Sequence, residues 1–545
     1  MSAYKLSQFV LIFFILNPFV RAQNCQSNGI DDSVTCSNLA SLADLSKEMT
    51  PQWKDVTIVN KVGDSFFVRE HEAKYLNVIE RLNLSRAGNI IASDHGWKDL
   101  TSLQSLNISG TQLATLKVSY FNPRSTLLFL DASDNQFNVL ERSMLENLSN
   151  IRSLNFSHNN LETVQPNAFQ TLLQLEYLNL NYNLLKTIFF GEIPKLEFLS
   201  INENLLDVLP SNSFSKLAQL KTLNIISNPL KNIEDRAFQG LSNLKLLNLS
   251  YNSIESLAAN VFMGLNRVKL MHLDLSQNNI GGLSGQPFQH LSLLQNLYIF
   301  GNSIRVLDST SFSGLRSLRK LFLSNNNIAE IGEDTFSSLL SLDTLDLGGN
   351  NLINLNKNVF AESMPRLRKL LLNRNNLKTL PHDTFSGLPS IDYLSLGHNS
   401  HDKLDLRMFA PLKKLKKLHL GNNYIEEIPA DVLEGFNDLT ELLIDHNKLT
   451  FLPEVNATFP FLKKISIEGN PWQCPCLDWI VGFLEARHIE YQRNNGYFDG
   501  RKPLCVVTPV KGCVRNLRIV QEYGVSDIYE KMVGSSEDEE EDSNI

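Results

Sequence analysis

The chain has 545 residues, of which 43% are hydrophobic and 20% are charged, the proportions of a folded protein. Its formal net charge is -8, so the chain as a whole offers no positive field to nucleic acid, and that class of partner is excluded. At this length it could form several ordinary domains or one extended array of repeats.

Residues 1–22 have the features of a secretory signal peptide. Lys5 supplies a positive charge, residues 9–20 form an apolar run, and Val20-Arg21-Ala22 provides a cleavage site before Gln23. The apolar run is shorter than the about 20 residues needed to cross a bilayer, and no second run of spanning length follows. We therefore expect a secreted protein of the extracellular space, without membrane insertion.

Six cysteines lie near the two ends of the chain, at positions 25, 36, 474, 476, 505 and 513. An even number confined to the ends favours disulfide-bonded terminal segments and an oxidising compartment. The alternative is a zinc site, but Cys474 and Cys476 lack the paired ligand spacing that structural zinc requires. We expect no metal and no cofactor.

Between these cysteines the pattern L-x-x-L-x-L-x-x-N-x-L recurs, as in LEYLNLNYNLL from Leu175 and LRKLFLSNNNI from Leu318. Most intervals between successive pattern asparagines are 24 residues, and the largest departures are one of 21 and one of 26. Two early units carry Ala87 and Thr111 in place of asparagine. A fixed period of this length is typical of a solenoid, and it predicts 17 units with a degenerate eighteenth at 56–59.

These units resemble the leucine-rich repeat family, in its 24-residue extracellular subtype. A phenylalanine in the second half of many units matches that subtype, at positions 169, 214, 238, 262, 288, 312, 336, 360 and 385. The flanking segments are similar to those of secreted members such as Toll-like ectodomains, chaoptin-like adhesion proteins and circulating leucine-rich proteins. The resemblance implies the disulfides Cys25–Cys36, Cys474–Cys505 and Cys476–Cys513. It also implies an α/β solenoid, shaped as a horseshoe, with a parallel concave β-sheet and disulfide caps.

The expected domain plan follows the composition along the chain. It comprises a signal peptide (1–22), an N-terminal cysteine flank (23–52), the repeats (53–470), a C-terminal cysteine flank (471–533) and a disordered acidic tail (534–545).

Alternation within each unit predicts which side chains face outward. Leu178 and Leu180 are two residues apart and point inward, so Asn179 between them points out of the sheet. Glycosylation acceptor motifs occur at Asn83, Asn107, Asn147, Asn155, Asn248 and Asn456. Four of them, at 83, 107, 155 and 248, occupy this outward position. Carbohydrate there would direct a protein ligand to later strands; the alternative is that some acceptors stay unused.

The later strands carry a group of outward apolar residues, which we identify as the candidate ligand-binding face: Tyr298, Phe300, Phe322, Leu371, Tyr393 and Leu443. Tyr298 and Phe322 hold equivalent positions on adjacent strands, so their rings can touch. An exposed aromatic cluster is typical of an interaction hot spot. The alternative is ordinary cross-strand packing.

Charged residues on the same strands alternate in sign from unit to unit, and basic residues outnumber acidic ones. This pattern is consistent with a ladder of cross-strand ion pairs or with a surface for a sulfated glycan. His398, His419 and His446 are expected on outward positions of three strands, where a metal site or acid sensor is a further alternative.

We find no catalytic motif, so we expect a protein that is not an enzyme. The sequence favours binding of another protein or receptor through the concave surface, in innate immunity, cell adhesion or signalling. The alternatives are a structural or glycan-binding component of the extracellular matrix and a regulatory subunit that stabilises a secreted enzyme.

Overall fold

The computed structural model describes residues 24–27, 29, 32–73, 76–356, 359–360, 364–429, 436–453, 459–491, 498–499, 502–503, 505–508 and 512–513. The chain divides into two compact units. The first extends to Asp207 and includes Ser213–Pro229 and Gly240–Ser242; the second comprises Val208–Asn212, Leu230–Gln239 and the chain from Asn243 onward. The proposed signal peptide and acidic tail lie outside the described residues.

The first unit is built on short parallel strands, one per coil, that follow an N-terminal antiparallel hairpin. The hairpin strands are Cys25–Ser27 and Ser33–Ser37, and Ser33–Ser37 pairs in parallel with the next strand. The parallel strands are Asp55–Val59, Arg81–Arg86, Ser105–Asn107, Phe129–Asp131, Ser153–Asn155, Tyr177–Asn179, Phe198–Ser200 and Thr222–Asn224. In each coil a return segment connects one parallel strand to the next. Short strands on the return segments pair Ser65–Val68 with Asn89–Ala92, and Val139–Leu140 with Thr163–Val164. The helices are Leu42–Glu48 and Arg142–Leu145, with a 3-10 turn at Val118–Tyr120.

The second unit repeats the same arrangement. Its parallel strands are Leu246–Asn248, His272–Asp274, Asn296–Tyr298, Lys320–Phe322, Thr344–Asp346, Lys369–Leu371, Tyr393–Ser395, Lys417–His419, Glu441–Leu443 and Lys464–Ser466. Short strands pair Val208–Leu209 with Asn232–Ile233, Val306–Leu307 with Glu330–Ile331, and Phe498–Asp499 with Lys502–Pro503. The helices are Leu406–Phe409 and Cys474–Ala486, with a 3-10 turn at Met263–Leu265. Each unit is thus a leucine-rich solenoid with few helices, and the predicted fold class is confirmed.

The core of each unit is formed by the inward positions of every strand. Leu297 and Ile299 flank the outward Tyr298 and are fully buried. The recurring phenylalanines form a second buried column on the return segments, as in the second unit, where the ring centroids of Phe312, Phe336 and Phe360 follow one another at 5.9 and 6.0 Å. A single coil could not bury these side chains, and stacking of neighbouring coils does.

The recurring asparagine satisfies the backbone of the turn after each strand. Asn326 is buried, and its Nδ2 donates hydrogen bonds to the carbonyl oxygens of Leu323 in its own coil and Ile299 in the preceding coil, both at 3.0 Å. Its Oδ1 accepts the backbone N–H of Ile304 at 3.2 Å. Thr111 replaces the first of these bonds by donating from Oγ1 to the carbonyl of Ile108 at 2.7 Å.

Disulfides close both ends. Cys25 and Cys36 are bonded across the hairpin, and Cys474 and Cys476 at the start of the C-terminal helix are bonded to Cys505 and Cys513. These are the pairings that the resemblance implies, and no described cysteine is free. Trp472, just before the helix, is fully buried and donates from Nε1 to the carbonyl of Ile467 at 2.6 Å.

Candidate interaction surface

The exposed face of the second unit's sheet contains a stacked aromatic pair. Strands Asn296–Tyr298 and Lys320–Phe322 are in parallel register, which sets Tyr298 directly opposite Phe322. The ring centroids are 5.0 Å apart and the ring planes differ by 3°. Both side chains are half-buried, so each ring keeps one part in contact with solvent. Phe300 follows the same strand by two residues and is also half-buried.

The other predicted face residues are separated from this pair by polar strands. Leu371 lies opposite Asp346 on one side and Ser395 on the other, while Leu443 lies between His419 and Ser466. All six predicted residues are half-buried on the outward face, but only Tyr298 and Phe322 stack on each other. The Tyr298–Phe322 pair is therefore the centre of the candidate surface.

Tyr393 belongs to a polar network. It starts its strand, between Lys369 and Lys417, and its hydroxyl lies 3.0 Å from Nδ1 of His419. The ammonium of Lys369 lies 5.5 Å from the Tyr393 ring centroid, a cation–π geometry. Burial raises the pKa of Tyr393 and lowers that of His419, although Glu441 lies 3.2 Å from the imidazole Nε2. Burial thus favours the uncharged form of the imidazole.

The predicted ladder of charges is present in part. Arg368 bonds Asp392 at 2.6 Å, and Lys417 bonds Glu441 at 2.6 Å. Lys464 approaches the same Glu441 at 3.9 Å. Within the part of the chain that the structure describes, no ion pair involves Arg319 or Lys320, so the ladder leaves a surplus of positive charge.

The three histidines do not all lie on outward strand positions, so that prediction was wrong. Only His419 lies on a strand; His398 and His446 lie in the turns that follow, with positive φ values of 51° and 49°. The chain has already left the extended conformation at these two positions, which explains the error. Among the described residues no group of three acidic, histidine or cysteine side chains could hold a metal ion.

The outward asparagines of the acceptor motifs have a structural role of their own. Asn83, Asn107, Asn155 and Asn248 each accept, through Oδ1, the backbone N–H two residues ahead, at 2.9 to 3.1 Å. Asp131, Asp274 and Asp346 make the same bond in coils whose outward position is not an asparagine. This bond engages only the amide oxygen. At Asn155 the amide nitrogen also donates one hydrogen to Asp131 Oδ1 at 3.0 Å, which leaves its second hydrogen available for replacement by carbohydrate. The motif therefore also arises from the requirements of the turn.

Asn147 differs from these four asparagines. Its Nδ2 donates to the carbonyl oxygens of Val118 at 2.8 Å and Phe121 at 3.1 Å, so both amide hydrogens are used. A glycan there would displace one of these bonds. Asn456 lies outside the described residues.

Sequence reasoning missed a second aromatic column, in the first unit. Phe129, Tyr177 and Phe198 each begin a strand, and Tyr177 stacks on Phe198 with centroids 4.5 Å apart and planes 5° apart. Aligning the first strand position of every coil, in addition to the outward position two residues later, would have revealed it. It also offers a matched control for the Tyr298–Phe322 pair.

No helix among the described residues is long and apolar enough to cross a membrane.

Comparison with known families and structures identifies the same kind of repeat as the observed coils. The family model described as "Leucine rich repeat" matches residues 126–185, 219–270, 268–328, 302–352, 316–363, 365–425 and 413–471, together more than half of the chain. A solved leucine-rich repeat protein from Leptospira interrogans is similar at 23% sequence identity, with a TM-score of 0.51, over 72% of this chain and 96% of that one. Comparison with curated proteins gives no match. Given the extent of the family match, the chain belongs to the leucine-rich repeat family.

Proposed function

We propose that this protein is a secreted, non-catalytic recognition protein that binds another protein or a receptor through the exposed face of its sheet, in innate immunity, cell adhesion or signalling. The leucine-rich repeat fold is typically non-catalytic and typically used for protein–protein interaction. Three disulfides are consistent with an oxidising, extracellular compartment.

The observation that carries the proposal is the Tyr298–Phe322 stack. Tyrosine and other aromatic residues supply much of the binding energy in protein interfaces, because they bury a large area at a low cost in side-chain entropy. The pair is already ordered by its stacking, so little freedom is lost on binding. Strands 272–274 to 464–466 carry no acceptor asparagine at the outward position, so no carbohydrate on them would cover the pair.

We further propose that glycans at Asn83, Asn107, Asn155 and Asn248 cover the exposed sheet around them. The turn geometry supports this, because it engages the oxygen of each amide and leaves at least one hydrogen on each amide nitrogen available for replacement. Peptide mapping of the secreted protein by mass spectrometry measures the occupancy of each site.

The test starts from the full chain expressed in secreting cells. Proximity labelling identifies the neighbouring protein, and its affinity is then measured by surface plasmon resonance for wild type and two double variants. Tyr298→Ala with Phe322→Ala should weaken binding roughly tenfold or more. The control, Tyr177→Ala with Phe198→Ala, removes an equivalent stack from the first unit and should leave affinity unchanged.

Equal affinity of the two double variants, with unchanged thermal midpoints, would refute the assignment of the site. Retention of the chain inside the cells would refute the extracellular location.

A further inference from the structure

Twelve basic side chains lie along one edge of the second unit's sheet, where each coil enters its strand. Two consecutive basic residues occupy this place on every second strand: Arg319-Lys320, Arg368-Lys369, Lys416-Lys417 and Lys463-Lys464. The preceding turns add Arg316, Arg366, Lys413 and Lys414. All twelve side chains are exposed. We refer to these twelve residues as the basic edge.

The backbone ladder keeps the cationic pairs in register. The N–H of Asp343 bonds the carbonyl of Arg319, and the N–H of Arg368 bonds the carbonyl of Asp343, both at 2.8 Å; the same pattern continues to Lys463. Neighbouring strands lie about 4.8 Å apart, so a cationic pair recurs about every 9.6 Å along a line across the strands. The basic edge is therefore a periodic row of positive charge.

The acidic residues on this edge do not cancel that charge. Among the residues that the structure describes they number four: Asp343, Asp392, Asp438 and Glu441. In the Arg368–Asp392 pair the arginine is 61% exposed and the aspartate 19%, and in the Lys417–Glu441 pair the values are 49% and 14%. The carboxylates thus lie beneath the cations, and solvent meets the positive groups. The basic edge is thus locally positive, although the net charge of the whole chain is -8.

A recess of about 570 Å³ opens within the basic edge. Its lining includes Arg319, Lys320, Arg366 and Arg368, together with Asp343 and Ser341. Among the described residues, Arg319, Lys320 and Arg366 take part in no ion pair. None of the lining residues is aromatic.

We propose that the basic edge binds a linear sulfated polysaccharide. Sulfates spaced along an extended chain match a row of cations with a regular repeat, and guanidinium groups bind such oxyanions through paired hydrogen bonds. The recess accommodates a sulfated sugar. A protein partner would instead require apolar or aromatic anchors at the centre of the contact, and the recess has no aromatic residue. The inference rests on the proposed extracellular location and is independent of protein binding by Tyr298 and Phe322.

The test is affinity chromatography of the purified full chain on immobilised heparin. Wild type should be retained at physiological ionic strength, about 0.15 M, and elute in a NaCl gradient, because salt screens exposed charges. The triple variant Arg319→Gln, Lys320→Gln, Arg366→Gln should elute at a clearly lower NaCl concentration. The control, Lys61→Gln, Lys98→Gln, Lys186→Gln, removes three exposed lysines from the first unit and should elute with wild type.

A second triple variant, Lys413→Gln, Lys414→Gln, Lys463→Gln, tests the other part of the basic edge and should show the same shift. Flow-through of wild type, or co-elution of the basic-edge variants with the control, would overturn the proposal. Equal retention on immobilised polyglutamate would overturn it too, since an acidic protein would then suffice. The column uses purified protein, so its result stands whether or not the protein-binding proposal survives.

Discussion

His401 occupies a core position that the neighbouring coils fill with Leu377 and Ile425. Its backbone N–H is accepted by Asn423 Oδ1 at 3.0 Å, as in the other coils, so the coil itself is not distorted. The side chain is 1% exposed; Nδ1 lies 3.2 Å from the carbonyl of Lys378, and Nε2 has no partner among the described residues. Burial lowers the pKa of His401 to about 4. A histidine in this column is a signal that the repeat alignment alone could have found.

We predict that His401 makes the stability of its unit pH-dependent. The unfolded chain binds a proton near pH 6.5 and the folded chain only near pH 4, so protonation favours unfolding. Stability should therefore fall as pH drops from about 6.5 to 4, by about 3 kcal/mol in total. His401→Leu should remove the fall in the free energy of unfolding that His401 causes over this pH range, as measured by urea denaturation at several pH values.

The control is His382→Gln, which changes an exposed histidine of the same unit. An identical pH dependence for wild type and His401→Leu would show that His401 does not titrate as proposed.

At the scale of the single coil, the asparagine ladder should contribute more to stability than any exposed polar residue. Asn326→Ala leaves the buried N–H of Ile304 without its acceptor, and it removes one of the two asparagine hydrogen bonds that each of the carbonyls of Ile299 and Leu323 accepts. We expect a loss of about 3 kcal/mol in the free energy of unfolding, since each buried unsatisfied polar group costs about 1–3 kcal/mol. Urea denaturation followed by circular dichroism measures it.

The adjacent Asn327→Ala is the matched control, because Asn327 is exposed. A similar loss for both variants would mean that the lost hydrogen bonds are not the cause.

At the scale of the whole molecule, the asparagine hydrogen bonds connect each coil only to its immediate neighbours. The bonds of Asn326 reach residues 299, 304 and 323, which belong to its own coil and the preceding one. In such an array, stability is close to a sum of coil and interface contributions. We therefore predict that Asn326→Ala accelerates amide hydrogen exchange in the coils around it and leaves the strand Arg81–Arg86 unchanged, as measured by mass spectrometry.

A uniform acceleration along the whole chain would instead indicate one cooperative unit. Asn327→Ala again serves as the control and should change neither region.

Much of the fold follows from the repeat pattern, because leucines on alternate positions must turn to one side of an extended strand. The inward leucines, the phenylalanine column and the asparagine bonds were predictable in this way. The placement of His398 and His446 was not, since it depends on the residue at which each strand ends. The predicted glycan sites and the function of the six face residues stay predictions.

By itself, the sequence determined the repeat, the direction of the side chains within each strand and the charge of each strand, because these depend on periods of 2 and about 24 residues within one chain. Only the tertiary structure decided which outward side chains meet. It stacked Tyr298 on Phe322, separated Leu371 from Leu443, and placed the carboxylates of Asp392 and Glu441 beneath their cations. Those relations depend on register between coils and on side-chain conformation, which are set by the packing of neighbouring coils against one another.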